Sequence, residues 1–149
     1  CAVSDNNECL TLLDFGHSGE ASGTVVRLDA NVETMGPEEL SNKPFCPKPN
    51  DVLKVGYVGY SLVTGQYPFV NEAELDKYFN QTTGDFFSTE AELQYSQTVM
   101  QTLRSFQFDR KVLGDYDKEA NDFICCLIQE NPEDRPTAQQ MKDHSFLKK

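Results

Sequence analysis

The stretch Asp51–Thr64, DVLKVGYVGYSLVT, constrains this chain more than any other. Eight positions between 52 and 63 are apolar: Val52, Leu53, Val55, Tyr57, Val58, Tyr60, Leu62 and Val63. Wound at 3.6 residues per turn, they fall on every side, and a helix apolar all round is a central one with neighbours on each face. Its β-branched residues suit a strand too. The length of the run and Asp51 as an N-cap favour a helix over 51–64. Gly56 and Gly59 imply close backbone approach. Gly65 stops the helix and Pro68 bars its continuation. A chain of 149 residues is long enough to bury such a helix in one ordinary domain.

The surrounding sequence supplies the neighbours. CLTLL at 9–13 is a short apolar run and reads as a buried strand. Residues 16–34 are rich in Gly, Ser, Thr, Asp and Asn with no sustained period, a loop of unusual length for a compact domain. Pro37-Glu38-Glu39-Leu40 can open a short helix, with proline in the first turn and acids near its positive end. NKPFCPKPN at 42–50 holds three prolines and is expected to be irregular. A short helix fits Glu72–Tyr78. Residues 88–104 carry a helical stripe of Leu93, Val99, Met100 and Leu103, with Thr89 and Glu92 spaced as a capping box. DKEANDFICCLIQE at 117–130 starts on an Asp cap, packs Phe123, Ile124, Leu127 and Ile128 on one face, and ends at Asn131-Pro132. A last amphipathic helix runs from Thr137 to about Phe146. One short strand and about five helices make the fold mainly α.

Lys and Arg total 13 against 24 Asp and Glu, a formal charge of −11. Phosphate attraction needs basic patches, so nucleic-acid binding is not expected, nor is attachment to anionic membrane surfaces. No run of 18 apolar residues exists to span a bilayer. CAVSDNNE lacks the basic and apolar regions of a signal peptide. Opening on Cys1 rather than Met reads as a piece of a longer protein. The five cysteines lack C-x-x-C spacing, so they read as reduced, mostly buried thiols of a cytoplasmic (or nuclear) protein rather than a zinc site.

Single motifs here are weak, but their order is not. LTLLDFG, then GPEEL, then DVLKVGYVGYSLVTGQYPF, then LIQENPEDRPTAQQMKDHSFL resembles the C-terminal half of a eukaryotic protein kinase domain, from about residue 9 to 147. The closing R-P-T-A…H-x-F-L is similar to the serine/threonine branch. The resemblance implies an incomplete C-terminal lobe: strand and D-F-G at 9–16, activation segment at 14–38, central helix at 51–64, an insertion at 70–87 and C-terminal helices at 88–147. Asp14 matches the aspartate that holds Mg²⁺ on the β- and γ-phosphates of ATP. Phe15 matches the residue that packs beneath the N-lobe helix, and Gly16 permits the sharp turn. Glu38 matches the A-P-E glutamate, whose buried arginine partner would be Arg135. Asp51 matches the aspartate that starts the central helix and accepts hydrogen bonds from the catalytic loop. Ser22, Thr24 and Thr34 are candidate phosphosites. His17 and His144 have no ligand-spaced partners and read as non-catalytic. The implied partners are a protein substrate or a regulatory protein.

Departures from the family pattern are equally specific. Gly36 stands for the A-P-E alanine. In D-x-W-S-x-G, Leu53 and Lys54 replace Trp and Ser. Asn31 takes the place of a threonine six residues before the proline, and Arg27 falls where the primary phosphosite is usual. The 149 residues contain no G-x-G-x-x-G, no V-A-I-K lysine and no H-R-D…N loop. The chain alone is therefore expected not to transfer phosphate. It would be either the carboxyl half of an active kinase or a pseudokinase-like scaffold. With the N-terminal half of the domain and its catalytic loop missing, part of the central helix is expected to face water, giving a dye-binding or self-associating chain.

Overall fold

A computed structural model describes residues 2–3, 10–11, 18–20, 23–24, 32–41, 43–70, 89–108, 110, 112–115 and 117–148. The described fold is mainly helical. A two-stranded antiparallel ladder pairs β1, Ala2–Val3, with β2, Leu10–Thr11. The expected strand at 9–13 thus has its core at β2, while β1, only two residues long, carries no sequence signal. Four α-helices follow among the described residues: α1 Pro47–Thr64, α2 Thr89–Ser105, α3 Lys118–Leu127 and α4 Ala138–Lys142. Short 3-10 turns occupy Val32–Thr34, Glu39–Ser41, Val112–Asp115, Pro132–Asp134 and Ser145–Leu147.

Helix α1 begins four residues before Asp51, so 47–50 is helical rather than irregular. The first N–H groups of a helix have no intrahelical acceptor, so Pro47 and Pro49 in the opening turn break no bond. Asp51 is accordingly not an N-cap. It is exposed on the second turn, and Cys46 precedes the helix without a side-chain cap. The other end closes as expected: Gly65 is left-handed, with φ 76°, and its N–H donates to Ser61 O at 2.8 Å.

The core forms along one side of α1. Leu53, Tyr57 and Tyr60 are buried with Phe69, Leu103 of α2, and Ile124 and Ile128 of the α3 region. Rings lock edge to face, Tyr57 on Phe69 at 5.5 Å and Tyr60 on Phe108 at 5.8 Å between centroids. Gly56 is required where α1 meets α3. A Cβ there would lie 2.8 Å from Ile128 Cγ1 and 2.9 Å from Leu127 Cβ. A second cluster joins Val52 of α1 to Phe123 and Leu127 of α3, with Met141 and Phe146 against it. Helix α1 is therefore central but not buried all round: Val55, Val58 and Leu62 are 45%, 59% and 82% exposed.

The C-terminal elements are set by caps. Asp117 accepts from Glu119 N–H at 2.9 Å to start α3. Thr137 and Gln140 form a reciprocal capping box at α4. The last helix is shorter than the sequence implied. It ends at Lys142, and His144 then caps a separate 3-10 turn by accepting Phe146 N–H at 3.2 Å. Thr89 is the first residue of α2 rather than its cap. Residues 71–88, which hold most of the expected insertion and the helix expected at 72–78, lie outside the described residues.

Candidate functional site

Asp14, Phe15, Gly16, Ser22, Arg27, Asn31 and His17 lie outside the described residues. Thr24 is exposed, and Thr34 is half-buried at the end of the 3-10 turn Val32–Thr34. The described part of the site is the end of the loop, residues 32–41, and the surface of α1 on which it rests.

Arg135 is the hub. Asn131 accepts Glu133 N–H at 3.2 Å, and the 3-10 turn it caps turns the chain inward after α3. The Arg135 guanidinium then donates to five acceptors. Nη1 reaches Glu38 Oε1 at 2.5 Å and Pro49 O at 3.0 Å. Nη2 reaches Glu38 Oε2 at 3.0 Å and Glu130 O at 3.1 Å, and Nε reaches Gln129 O at 2.8 Å. The fork on Glu38 is bidentate, the geometry that suits guanidinium to carboxylate. Both side chains are buried, 0% exposed for Arg135 and 7% for Glu38. Every donor is thus satisfied, which a buried charge requires. One side chain ties together the loop end, the start of α1 and the turn after α3.

A second ion pair adjoins the first. Glu39 Oε1 lies 3.2 Å from Lys54 Nζ, and Glu39 Oε2 accepts Gly36 N–H at 2.6 Å. Tyr57 Oη donates to Met35 O at 3.1 Å. Burial pushes the Tyr57 phenol above its ordinary range, the nearby Arg135 charge opposing and Glu38 and Glu39 reinforcing the shift. Tyr57 therefore stays a neutral donor. The Tyr95 phenol of α2 is raised by burial and by its hydrogen bond to Glu33, which ties α2 to the turn at 32–34. The consecutive glutamates of GPEEL and the single lysine of an apolar run were the only sequence traces of the second pair, and each alone reads as a solvated charge.

Beside Arg135 lies a groove of about 340 Å³, lined by Lys48, Asp51, Val52, Val55, Ala138 and Met141 among others. Its Val55 wall continues into the open face of α1 at Val58 and Leu62. Asp51 stands on this rim, away from the core. Among the described residues no group of three or more His, Cys, Asp and Glu could hold a metal ion. His144 serves as a cap, with Nε2 3.4 Å from Asp122 and its ring against Phe123. Cys46 is exposed and Cys125 and Cys126 are half-buried, so the described thiols are free but less buried than expected. No described helix is long and apolar enough to cross a membrane.

Comparison with known proteins places this geometry. The model of the protein kinase domain matches residues 2–147. A calcium/calmodulin-dependent serine/threonine-protein kinase of Malus domestica is 27% identical over 151 aligned positions, covering 99% of this chain and 31% of that protein. Calcium/calmodulin-dependent protein kinase type 1B of Rattus norvegicus is 29% identical over 136 positions, covering 90% and 33%. The chain thus spans about a third of the length of these curated relatives. Among solved structures, the twitchin kinase region of C. elegans superposes with a TM-score of 0.57 at 22% identity, over 77% of this chain and 17% of that one. The Rad53 kinase domain with SCD2, in complex with AMPPNP, gives 0.53 at 22% identity, over 78% and 38%. With the helices of a kinase C-terminal lobe and a family match along nearly its whole length, this chain belongs to the protein kinase domain family.

Proposed function

We propose that this chain is the C-terminal portion of a serine/threonine-type protein kinase that transfers the γ-phosphate of ATP to protein hydroxyls. Residues 14–38 act as its activation segment. The observation that carries the reading is the bidentate contact between Glu38 and Arg135, 97 residues apart, inside a chain whose family match runs from 2 to 147. No local periodicity brings such residues together. The kinase motif order gives both of them a place, as the glutamate of P-E and the arginine of D-R-P.

Asp14 would hold the metal of the complete domain. A single aspartate suits Mg²⁺, which takes one or two protein carboxylates together with phosphate oxygens and water. When bound, magnesium neutralises charge on the transferring phosphoryl group. The chain's own residues do the rest of what lies here. Glu38 and Arg135 fix the end of the activation segment. Asp51, exposed on the groove rim, is free to accept backbone hydrogen bonds from the rest of the domain. The catalytic base and the phosphate-binding lysine would come from the rest of the domain, so the 149 residues alone are inactive. A protein substrate or regulatory partner completes the assignment.

The test is phosphoryl transfer by the longest natural product containing these residues, with Mg-ATP and a protein substrate, against its Asp14→Asn variant and the chain alone. Turnover lost in Asp14→Asn and absent from the chain alone is expected. Near-normal turnover in Asp14→Asn would refute the metal assignment. The second reading is a pseudokinase-like scaffold, favoured by Arg27, Asn31 and Gly36 and by the open apolar face of α1. A folded product that transfers no phosphate under any loading would select it.

A further inference from the structure

Two departures from the kinase pattern, Gly36 for alanine and Lys54 for serine, meet in space. Asn50, Lys54 and Tyr57 share one stripe of α1, at i, i+4 and i+7, and all three face residues 35–39. Lys54 Nζ lies 3.2 Å from Glu39 Oε1, while Glu39 Oε2 accepts Gly36 N–H at 2.6 Å. The Glu39 side chain is 1% exposed and that of Lys54 28%, so this is no surface ion pair. Asn50 is fully buried, with neither amide atom hydrogen-bonded. A Cβ at position 36 would sit 2.8 Å from Asn50 Oδ1, 3.0 Å from Leu53 Cδ2 and 3.1 Å from Glu38 Oε2. The first distance is below any carbon–oxygen contact. The third presses on a carboxylate already held by Arg135. Alanine at 36 therefore forces the buried Asn50 side chain to move.

We propose that Gly36, Glu39, Asn50 and Lys54 form one co-adapted lock that fastens the end of the activation segment to α1, beside the Glu38–Arg135 pair. The departures at 36 and 54 then replace one mode of anchoring by another and are not marks of a decayed kinase. Glu39 is the bridge: one oxygen takes the lysine of α1, the other the backbone of the segment. Asn50 contributes shape alone, filling the place a methyl group would take. The inference rests on the proposed function only in naming the segment; the lock itself concerns contacts within this chain.

The experiment reads stability and amide exchange in the 149-residue chain, so it needs no activity. Overpacking by one methyl group strains a packed core. Gly36→Ala should therefore raise the unfolded-to-folded ratio about tenfold, and adding Asn50→Ala should recover most of that loss. If Gly36→Ala fails to fold, recovery of folding in the double variant carries the same meaning. Lys54→Met should speed exchange at the Gly36 and Ser41 amides and leave α3 unchanged. Glu39→Gln added to Lys54→Met should be less unstable than Lys54→Met alone, because the stranded buried carboxylate is gone. Strictly additive effects of Gly36→Ala and Asn50→Ala would overturn the packing half. Unchanged Gly36 exchange in Lys54→Met would reduce Glu39–Lys54 to an incidental contact and overturn the other. An inactive longer product would defeat the kinase reading while leaving these outcomes in force.

Discussion

The two faces of α1 differ as much as any two parts of this molecule. One face, Asn50, Leu53, Lys54 and Tyr57, is roofed by residues 35–39 and tied to them by one ion pair and a phenol hydrogen bond. The other, Val55, Val58 and Leu62, is wholly aliphatic and has no cover among the described residues. The helix is continuous through both, so helix propensity cannot distinguish them. What distinguishes them is partners: on the roofed face polar atoms specify a single arrangement, and on the open face apolar surface waits on water. Burial of apolar area is worth about 25 cal/mol per Å², so the open face is a store of unused stabilisation and the roofed face a spent one.

This contrast orders the expected effects of substitution. The largest belongs to Arg135→Met. It strands the buried Glu38 carboxylate and removes the donor that Arg135 gives to the carbonyls of Pro49, Gln129 and Glu130. Removing one partner of a buried pair costs about 3–5 kcal/mol, visible as a large drop in the urea midpoint. Next comes Gly56→Ala, where the added Cβ meets Ile128 and Leu127. The gain in helix propensity, about 1 kcal/mol, is smaller than or comparable with an overpacking cost of about 1–3 kcal/mol. A net loss in thermal stability is the expected outcome, and a gain would mean that α1 and α3 do not approach so closely. Thr137→Ala removes the capping box of α4 and should cost about 1 kcal/mol, without touching the contacts of α1. The smallest effect belongs to the open face. Val58→Lys and Leu62→Gln should change stability by no more than about 0.5 kcal/mol, while lowering ANS binding and self-association of the chain. A marked loss of stability in those variants would show that the face is covered after all.

How much of this was legible in the sequence follows from what each feature needs. The Asp117 cap, the Gly65 stop and the Thr137 start are local chemistry and could be read directly. The start of α1 could not: three prolines read as irregular backbone, yet two of them fall where a helix has no N–H to lose. The break at Asp143-His144 was hidden because the apolar spacing runs on to Phe146 while the backbone recaps itself at His144. An all-round apolar pattern identified α1 as central but could not say which sides have neighbours. The contact of Glu38 with Arg135 was reachable only through the order of kinase motifs, since 97 residues separate them. Gly36 and Lys54 stood out as departures from the family pattern, but nothing in the sequence paired Lys54 with Glu39 or Gly36 with Asn50. Each depends on the register between the loop end and α1, which no periodicity encodes.

Glu38 and Arg135 weld the segment end to the C-terminal helices. A double-mutant cycle tests that most directly, with Glu38→Gln, Arg135→Met and both together, each unfolded in urea. Residues in contact show interaction energies of about 0.5–3 kcal/mol. Coupling within that range is expected, with the double variant less destabilised than the sum of the singles. Strict additivity would mean that the two side chains do not meet, and the placement of residues 36–41 on α1 would be wrong.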